Sequence, residues 1–557
     1  MSSTNAKRNK NLPVLVVAAL ILIVLVVGII YELIHMNTPS AERADLGKIY
    51  PVPEGSAVVI SNGVLSETRA VWEAKRAYLD LSIVQKELNS RFYWDSTEKL
   101  LVVTTASEVA TAASDTIFEG GPVFLNREDT IYVSLDYVAQ YTNIQVDSFS
   151  NPNRVFLRTQ WGESTRADVA ETAQVRTEAD VKSPILTDVE PGSGLLVMEQ
   201  GEDWDKVYTK DGYVGYISKE DLKDVRTETD EGPSVQPEYT RTTLDQKVFL
   251  VWHQVFEESG VNSLDSLLAD AKGLNVLAPT WFSIKDEEGN LESRANHDYV
   301  QKAHDKGIQI WALVENINIE GVDAEKLLNV TSHRTNLING LIQYAEEYDL
   351  DGINVDLEKL PSSAGEGYIQ FIRELSVACR KRGLILSVDN YVPSAWTEHY
   401  HRAEQGVVAD YVIIMAYDEH YNGSEAGSTA SVDFVRQGVE DTLKEVPAEK
   451  VVTAFPFYTR LWKTEGAELT SEVKSMDEAK ALADSPEYTV IWQEELGQNY
   501  AEMDQDGTTY QIWLEDEESI KAKLEAVKSF DLAGLAGWKL GMESDSVWDL
   551  ISNALQS

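Results

Sequence analysis

An α/β fold whose larger part is a closed eight-stranded parallel barrel is predicted by three features of the chain. Eight apolar strand-like runs follow Asp245, amphipathic segments separate them, and one run places its polar residues on a single face. The runs are KVFLVWHQVF from Lys247, LNVLAPTWF from Leu274, IQIWALVEN from Ile308, DGINVDLE from Asp351, LILSVDNYV from Leu384, YVIIMAYDE from Tyr411, VVTAFPFYTRLW from Val451 and LAGLAGWKLG from Leu532. Segments such as Arg334 to Tyr348 and Gly367 to Arg382 carry the helical period between them. This alternation is the pattern of a (β/α)8, or TIM, barrel over residues 244–557.

The fourth run, Asp351-Gly352-Ile353-Asn354-Val355-Asp356-Leu357-Glu358, organises the rest. Side chains alternate along a strand, so Asn354, Asp356 and Glu358 face one way and Ile353, Val355 and Leu357 the other. Three polar groups on one face are costly to bury without a purpose. In a barrel whose apolar residues pack against outer helices, that row lies inside, with Glu358 at the carboxyl end where such barrels keep their chemistry. The plain alternative is a half-exposed strand with a solvated acidic face.

The sixth run reads Met415-Ala416-Tyr417-Asp418, and the eighth contains Trp538. Together with the fourth run, these residues resemble glycoside hydrolase family 18, whose fourth strand carries Asp-Gly-x-Asp-x-Asp-x-Glu and whose sixth carries Met-x-Tyr-Asp. The resemblance extends over about Thr243 to Ser557. It is closest to the bacterial wall-lytic and spore-cortex N-acetylglucosaminidase branch, by the Gly-Ile-Asn-Val-Asp form and the stretch from Tyr510 to Gly541. Asn354 departs from the family pattern, where many chitinases have an aspartate.

The resemblance implies a hydrolase in which the substrate's acetamido oxygen is the nucleophile. Glu358 is then the general acid and later the base, Asp356 holds the acetamido N–H and offsets positive charge, and Tyr417 bonds the acetamido oxygen. Asn354, Met415, Asp418 and Trp538 shape the sugar subsite, and no cofactor is needed. A neutral amide at 354 is expected to leave Asp356 without a proton-sharing neighbour. Peptidoglycan is the expected substrate, with chitin oligomers, or a catalytically inactive carbohydrate-binding relative, as alternatives. Between the seventh and eighth runs, Lys463 to Asp531 is expected to hold a helix near Met476 to Ala483, a hairpin from Tyr488 to Leu514 turning at Asp506-Gly507, and a helix from Glu517. So little material predicts an open cleft that admits a peptide-bearing glycan.

At 557 residues the chain is too long for one core. Its formal net charge of −44 argues against nucleic acid and against docking on anionic lipid headgroups. The single cysteine, Cys379, lies in an amphipathic run and reads as a small core residue. His253, His304, His399, His401 and His420 show no metal spacing, so no metal site is assigned. From Leu12 to Ile30 the chain is almost wholly apolar, and residues 12–34 are expected to cross a membrane, with a cleaved signal peptide, whose apolar region is normally shorter, as the alternative. Lys7, Arg8 and Lys10 precede the span and Glu32, Glu42 and Asp45 follow it, which predicts a cytoplasmic tail at 1–11 and an extracellular remainder, a single-pass cell-membrane protein.

Two modules are expected between membrane and barrel. In residues 48–160 the segment from Tyr78 and the segment from Tyr132 align without a gap, pairing Tyr78 with Tyr132, Leu81 with Leu135, Val84 with Val138 and Asn89 with Asn143. Each copy reads as a short helix and a strand or hairpin, so the two are expected to pair into one α+β unit. The pattern resembles the N-terminal module named after copper amine oxidases, though no histidine or cysteine is present to bind copper. Residues 165–226 show short strands with turns at Pro191-Gly192, Gly201 and Asp211-Gly212, a small β-barrel pattern. Val175-Arg176, Ser183 to Leu186, Trp204 and Gly212 to Ile217 resemble a bacterial Src-homology-3-like domain. Trp204, Tyr213 and Tyr216 line a wall-peptide groove or fill its core. Residues 227–243, with Pro233 and Pro237, read as the linker.

Overall fold

The structure, a computed structural model, describes residues 12–233, 237–256, 259–317 and 321–556, so the tail expected at 1–11 lies outside the described residues. The chain forms two compact units, one of residues 1–90 and 115–236, the other of residues 91–114 and 237–557.

The first unit begins with helix Leu12–Asn37, predominantly apolar and with its large apolar side chains from Leu15 to Met36 exposed. Its Leu15–Asn37 stretch has 23 residues and a mean hydropathy of 2.9. At 1.5 Å per residue this spans about 35 Å, long enough for a bilayer's hydrocarbon core. A seven-stranded sheet follows, in which Ser56–Ser61 lies parallel to Arg154–Arg158 and antiparallel to Val64–Glu73. The two repeat copies meet in it through strands Arg76–Asp80 and Thr130–Ser134, which pair Tyr78 with Ser134 and Asp80 with Tyr132. A second seven-stranded sheet runs from Gly162–Val169 to Leu222–Asp230, and those two strands pair along its edge.

The three aromatics expected to line a groove or fill a core part company. Tyr213 lies under the Arg154 guanidinium at 4.1 Å and packs beside Tyr50, Phe156 and Tyr208, so it serves an internal contact. Trp204 and Tyr216 are half-buried and line a cavity of about 310 Å³ with Glu199, Glu202, Asp203 and Lys206.

Two expectations about boundaries change. The hairpin of the first repeat copy, Phe92–Asp95 and Leu100–Thr104, leaves its module and with Val109–Ala112 forms a three-stranded sheet in the second unit. The supposed linker at 227–243 is structured at both ends: residues through Asp230 continue a strand, Thr242 N–H donates to Asp410 Oδ1 at 2.7 Å, and Tyr239 lies between the Arg91 and Arg380 guanidiniums.

The second unit is built on eight parallel strands: β1 (Val248–His253), β2 (Val276–Pro279), β3 (Gln309–Glu315), β4 (Gly352–Asp356), β5 (Ile385–Tyr391), β6 (Tyr411–Met415), β7 (Val451–Pro456) and β8 (Gly534–Trp538). Each pairs with the next, and β8 returns to β1, which closes the barrel. Alternation sorts the side chains into two cores. Phe249, Val251, Ile353 and Val355 pack outward against helices such as Gly365–Arg380, while Leu250, Trp252, Leu313, Ile413 and Ala454 fill the interior.

The three-stranded sheet packs on this barrel's helices. Asp95 Oδ2 accepts the Thr331 N–H at 2.6 Å and Glu98 Oε2 accepts that of Ser332 at 3.1 Å. Together they cap helix Thr331–Tyr348, whose own N-cap residue, Val330, has no side-chain acceptor. Arg91 makes a two-pronged pair with Glu404, Tyr93 lies under the Arg334 guanidinium at 4.8 Å, and Gln370 Nε2 donates to Thr104 Oγ1 at 2.9 Å.

The segment after β7 is larger than the sequence suggested. Tyr458–Glu465, Glu468–Ser475, Thr489–Gln493, Gln498–Gln505 and Thr508–Trp513 form a five-stranded antiparallel sheet, backed by helix Met476–Ala483 around Ala479, Ala501, Ile512 and Leu514. The first of these strands continues the seventh apolar run, and the second is polar and largely exposed, which hid it from an apolar pattern. The inference of an open cleft from a small insertion therefore loses its basis.

Candidate active site

The carboxyl ends of the strands gather the titratable groups. On β4, Asn354 and Asp356 point inward, and Glu358 follows two residues past the strand's end. The turn carrying Glu358 is pinned by the Tyr400 hydroxyl, which donates to the carbonyls of Leu357 at 3.1 Å and Glu358 at 3.0 Å. Asn316 braces the other side through its side-chain bonds with the Lys359 N–H and carbonyl.

Asn354 is fully buried and almost fully bonded. Its Oδ1 accepts from Trp252 Nε1 at 2.9 Å, and its Nδ2 donates to Ser387 Oγ at 2.9 Å and to Asp389 Oδ1 at 2.8 Å. Asp356 is buried with Oδ1 lacking a partner. Burial, then Glu358, Asp389 and Glu315, push its carboxyl well above the ordinary range. Burial also raises Glu358; the Tyr391 hydroxyl, which donates to Glu358 Oε2, pulls it back, while Asp418 and Glu315 raise it further.

Tyr417 stands two residues past β6, half-buried, edge-on to Tyr458 at 6.3 Å. Burial drives its hydroxyl well above the usual phenol value, and Tyr458, Asp356, Glu358 and Asp389 add to the effect, which places it in the same field. Asp418 adopts φ 57°, is exposed, accepts from the Tyr458 hydroxyl at 2.5 Å and lies 3.9 Å from Arg460. Met415 is buried and pairs with Tyr391 across β5 and β6. Trp538 ends β8 half-buried, its ring 5.9 Å from that of Trp252, which in turn bonds Asn354.

The structure thus brings Asp356, Glu358, Tyr417 and Asn354 into one cluster, with Asp418 linked through Tyr458 and Trp538 through Trp252. Sequence reasoning missed Glu315, Asp389, Tyr391, Tyr400, Tyr458 and Arg460. One correction concerns Asn354: it removes an acid from β4, yet its own amide holds a second buried acid, Asp389 on β5, beside Asp356. His253 is buried, bonds the Tyr299 hydroxyl through Nδ1 at 2.8 Å, and is pushed down to about 4 by burial and Lys539. Among the described residues no group of three or more His, Cys, Asp or Glu side chains is placed to hold a metal ion. A cavity of about 500 Å³, lined by Leu524, Val527, Leu535 and Leu555, lies where β8 begins, at the barrel's other end.

Residues 271–543 match the family model of glycosyl hydrolases family 18. The chain is 27% identical over 301 residues to the uncharacterised glycosylase YvbX of Bacillus subtilis (strain 168), covering 52% of this chain and 87% of that protein. It is 28% identical over 237 residues to the cortical fragment-lytic enzyme of the same organism, covering 41% of this chain and 55% of that enzyme, little more than half its length. Among solved structures, the chitinase of Chromobacterium violaceum ATCC 12472 superposes with a TM-score of 0.51 at 22% identity, over 56% of this chain and 99% of that one. The Bacillus cereus spore cortex-lytic enzyme SleL gives 0.51 at 20% identity, over 59% and 78%. At these identities the superpositions show the fold, and over residues 271–543 the closed barrel of this chain matches glycosyl hydrolases family 18.

Proposed function

We propose that the barrel hydrolyses β-linked N-acetylglucosamine bonds in peptidoglycan, with retention, at the cluster around Glu358. The observation that carries this reading is the inward row of Asp356 and Glu358 with Tyr417 in the same field, at the carboxyl ends of a family 18 barrel. In the first step the acetamido oxygen of the substrate attacks the anomeric carbon while the bond to the leaving oxygen breaks, and Glu358 gives that oxygen its proton. Asp356 accepts the acetamido N–H and offsets the charge of the cyclic oxazolinium; Tyr417 donates to the acetamido oxygen and sets its angle of attack. Glu358 then takes a proton from water, which opens the ring with overall retention. The burial that raises Glu358 keeps it protonated closer to neutral pH, as a general acid requires. Asn354, Met415, Asp418 and Trp538 shape the sugar subsite.

The apolar helix Leu12–Asn37 supports a single-pass anchor that holds the barrel outside the cell beside its polymer. The cavity beside Trp204 and Tyr216 supports wall-peptide binding by the smaller domain. Similarity to the cortical fragment-lytic enzyme favours peptidoglycan. A second reading, hydrolysis of chitin oligomers, takes the five-stranded sheet after β7, which meets Asp418 through Tyr458, as a wall for a long unbranched chain. Digestion of purified sacculi and of chitin oligomers by the full chain, with mass analysis, separates the two. Muropeptides ending in reducing N-acetylglucosamine are expected; fast chitin cleavage with intact sacculi refutes the peptidoglycan reading.

A further inference from the structure

Asp389 is a buried acid that the reaction above leaves unused. It lies on β5, 2% exposed, with Oδ1 held by Asn354 and Oδ2 without a partner among the described residues. The register pairs Asn354 with Ser387 and Val355 with Val388, so the next step along the two strands brings Asp356 level with Asp389. Both point into the barrel, and Asp356 also has an unpartnered buried oxygen. Two ionised carboxylates side by side in a dry interior repel strongly, whereas one proton between them gives the pair a single charge and a hydrogen bond.

Among the described residues, the charged groups that act most strongly on the pair are acids. Glu358 and Glu315 act on Asp356, and Glu358 acts on Asp389; the phenols of Tyr368, Tyr391, Tyr400 and Tyr417 close in from the helix after β4, from β5 and its loop, and from β6. The buried Tyr368 hydroxyl is out of hydrogen-bond reach of either carboxyl. Among the described residues the neutral amide of Asn354, itself held by Trp252, steadies Asp389.

We propose that Asp356 and Asp389 share one proton, held mainly on Asp389, so that Asp389 is a positioning residue that keeps Asp356 the anionic member facing the substrate. This rests on the reading of Asp356 given above. The position of Asn354 makes it the bracket that holds Asp389 in place, and the second acid of the site is supplied by β5 where β4 has lost one. No atom is transferred to substrate from Asp389: the proton stays between the two carboxyls through the cycle.

Infrared difference spectra of the full chain at neutral pH, with and without isotope-labelled aspartate, test the proton directly and need no substrate. A protonated-carboxyl band that moves with the label and is lost in Asp389→Asn is expected; a wild-type protein with no such band overturns the proposal, whether or not the variant folds. In kinetics, Asp389→Asn should move the acid limb of kcat toward neutral pH by about one unit, with about tenfold lower kcat on that limb and KM within about twofold. The exchange Asn354→Asp with Asp389→Asn should restore the limb, because an acid again sits beside Asp356. An unmoved limb overturns the proposal. Failure of the broader reading appears separately, as Glu358→Gln retaining full activity while the band persists.

Discussion

Replacing Tyr391 by phenylalanine removes one hydroxyl and leaves the ring in place. That hydroxyl donates to Glu358 Oε2 and favours the ionised carboxylate, while burial favours the neutral acid. A hydrogen bond to a charged group contributes about 1.5–3 kcal/mol, and about 1.4 kcal/mol is tenfold in an equilibrium constant. Tyr391 is 38% exposed, so water replaces part of the interaction and the lower end of that range applies. The sign follows from the role: Glu358 must be protonated to act as the acid, and losing a donor to its anion makes deprotonation harder. The alkaline limb of kcat/KM therefore moves to higher pH, by about one unit. The ring keeps its edge-on packing against Tyr400 at 6.3 Å, so KM should change little. The assay is kcat/KM for a soluble N-acetylglucosamine oligomer across pH, wild type against variant. An alkaline limb that stays put, or moves down, would refute the claim that Tyr391 tunes this acid.

Glu358→Gln should fold normally, with an unchanged urea midpoint, and lose at least about 10²-fold in kcat on any substrate the wild type cleaves. Tyr417→Phe should lower kcat by about 10²-fold with KM nearly constant, since its hydroxyl is asked to act on the acetamido oxygen as it attacks; a change confined to KM would place it in ground-state binding instead. Asp95→Ala removes an acceptor from the N–H groups of Thr97, Glu98 and Thr331 and leaves the last of these buried, so urea unfolding should show about 2–3 kcal/mol less stability with the site's pH profile intact.

The barrel could be read because each of its strands is a continuous apolar run buried on both sides, and β4 stood out because polar residues interrupt that pattern at alternate positions. The same alternation, Ser387, Asp389, Tyr391, is present in the fifth run, but an apolar run with an acid in it is unremarkable until register sets Asp389 level with Asp356. Tyr458 and Arg460 were missed for another reason. They stand at the end of the seventh run, and their contact with Asp418 depends on how the strand after β7 leaves the barrel. The internal repeat showed that Phe92–Asp95 and Leu100–Thr104 correspond to Gln145–Phe149 and Arg154–Arg158, but similarity between copies does not say what each copy packs against.

That first hairpin makes the catalytic domain discontinuous along the chain, which crosses from one unit to the other after residues 90, 114 and 236. A protein truncated to begin at residue 237 would keep all eight strands and every acid of the site, yet helix Thr331–Tyr348 would start with bare N–H groups and Arg334 would lose the ring beneath it. Nor would a protease nick between 231 and 243 set the barrel free, because residues 91–114 remain threaded into it through Arg91, Tyr93, Asp95 and Thr104. In such a chain the hydrolase does not travel as a cassette: recombination at the apparent domain border separates it from the caps of its own helix, and only an exchange that carries the upstream module along delivers an intact barrel.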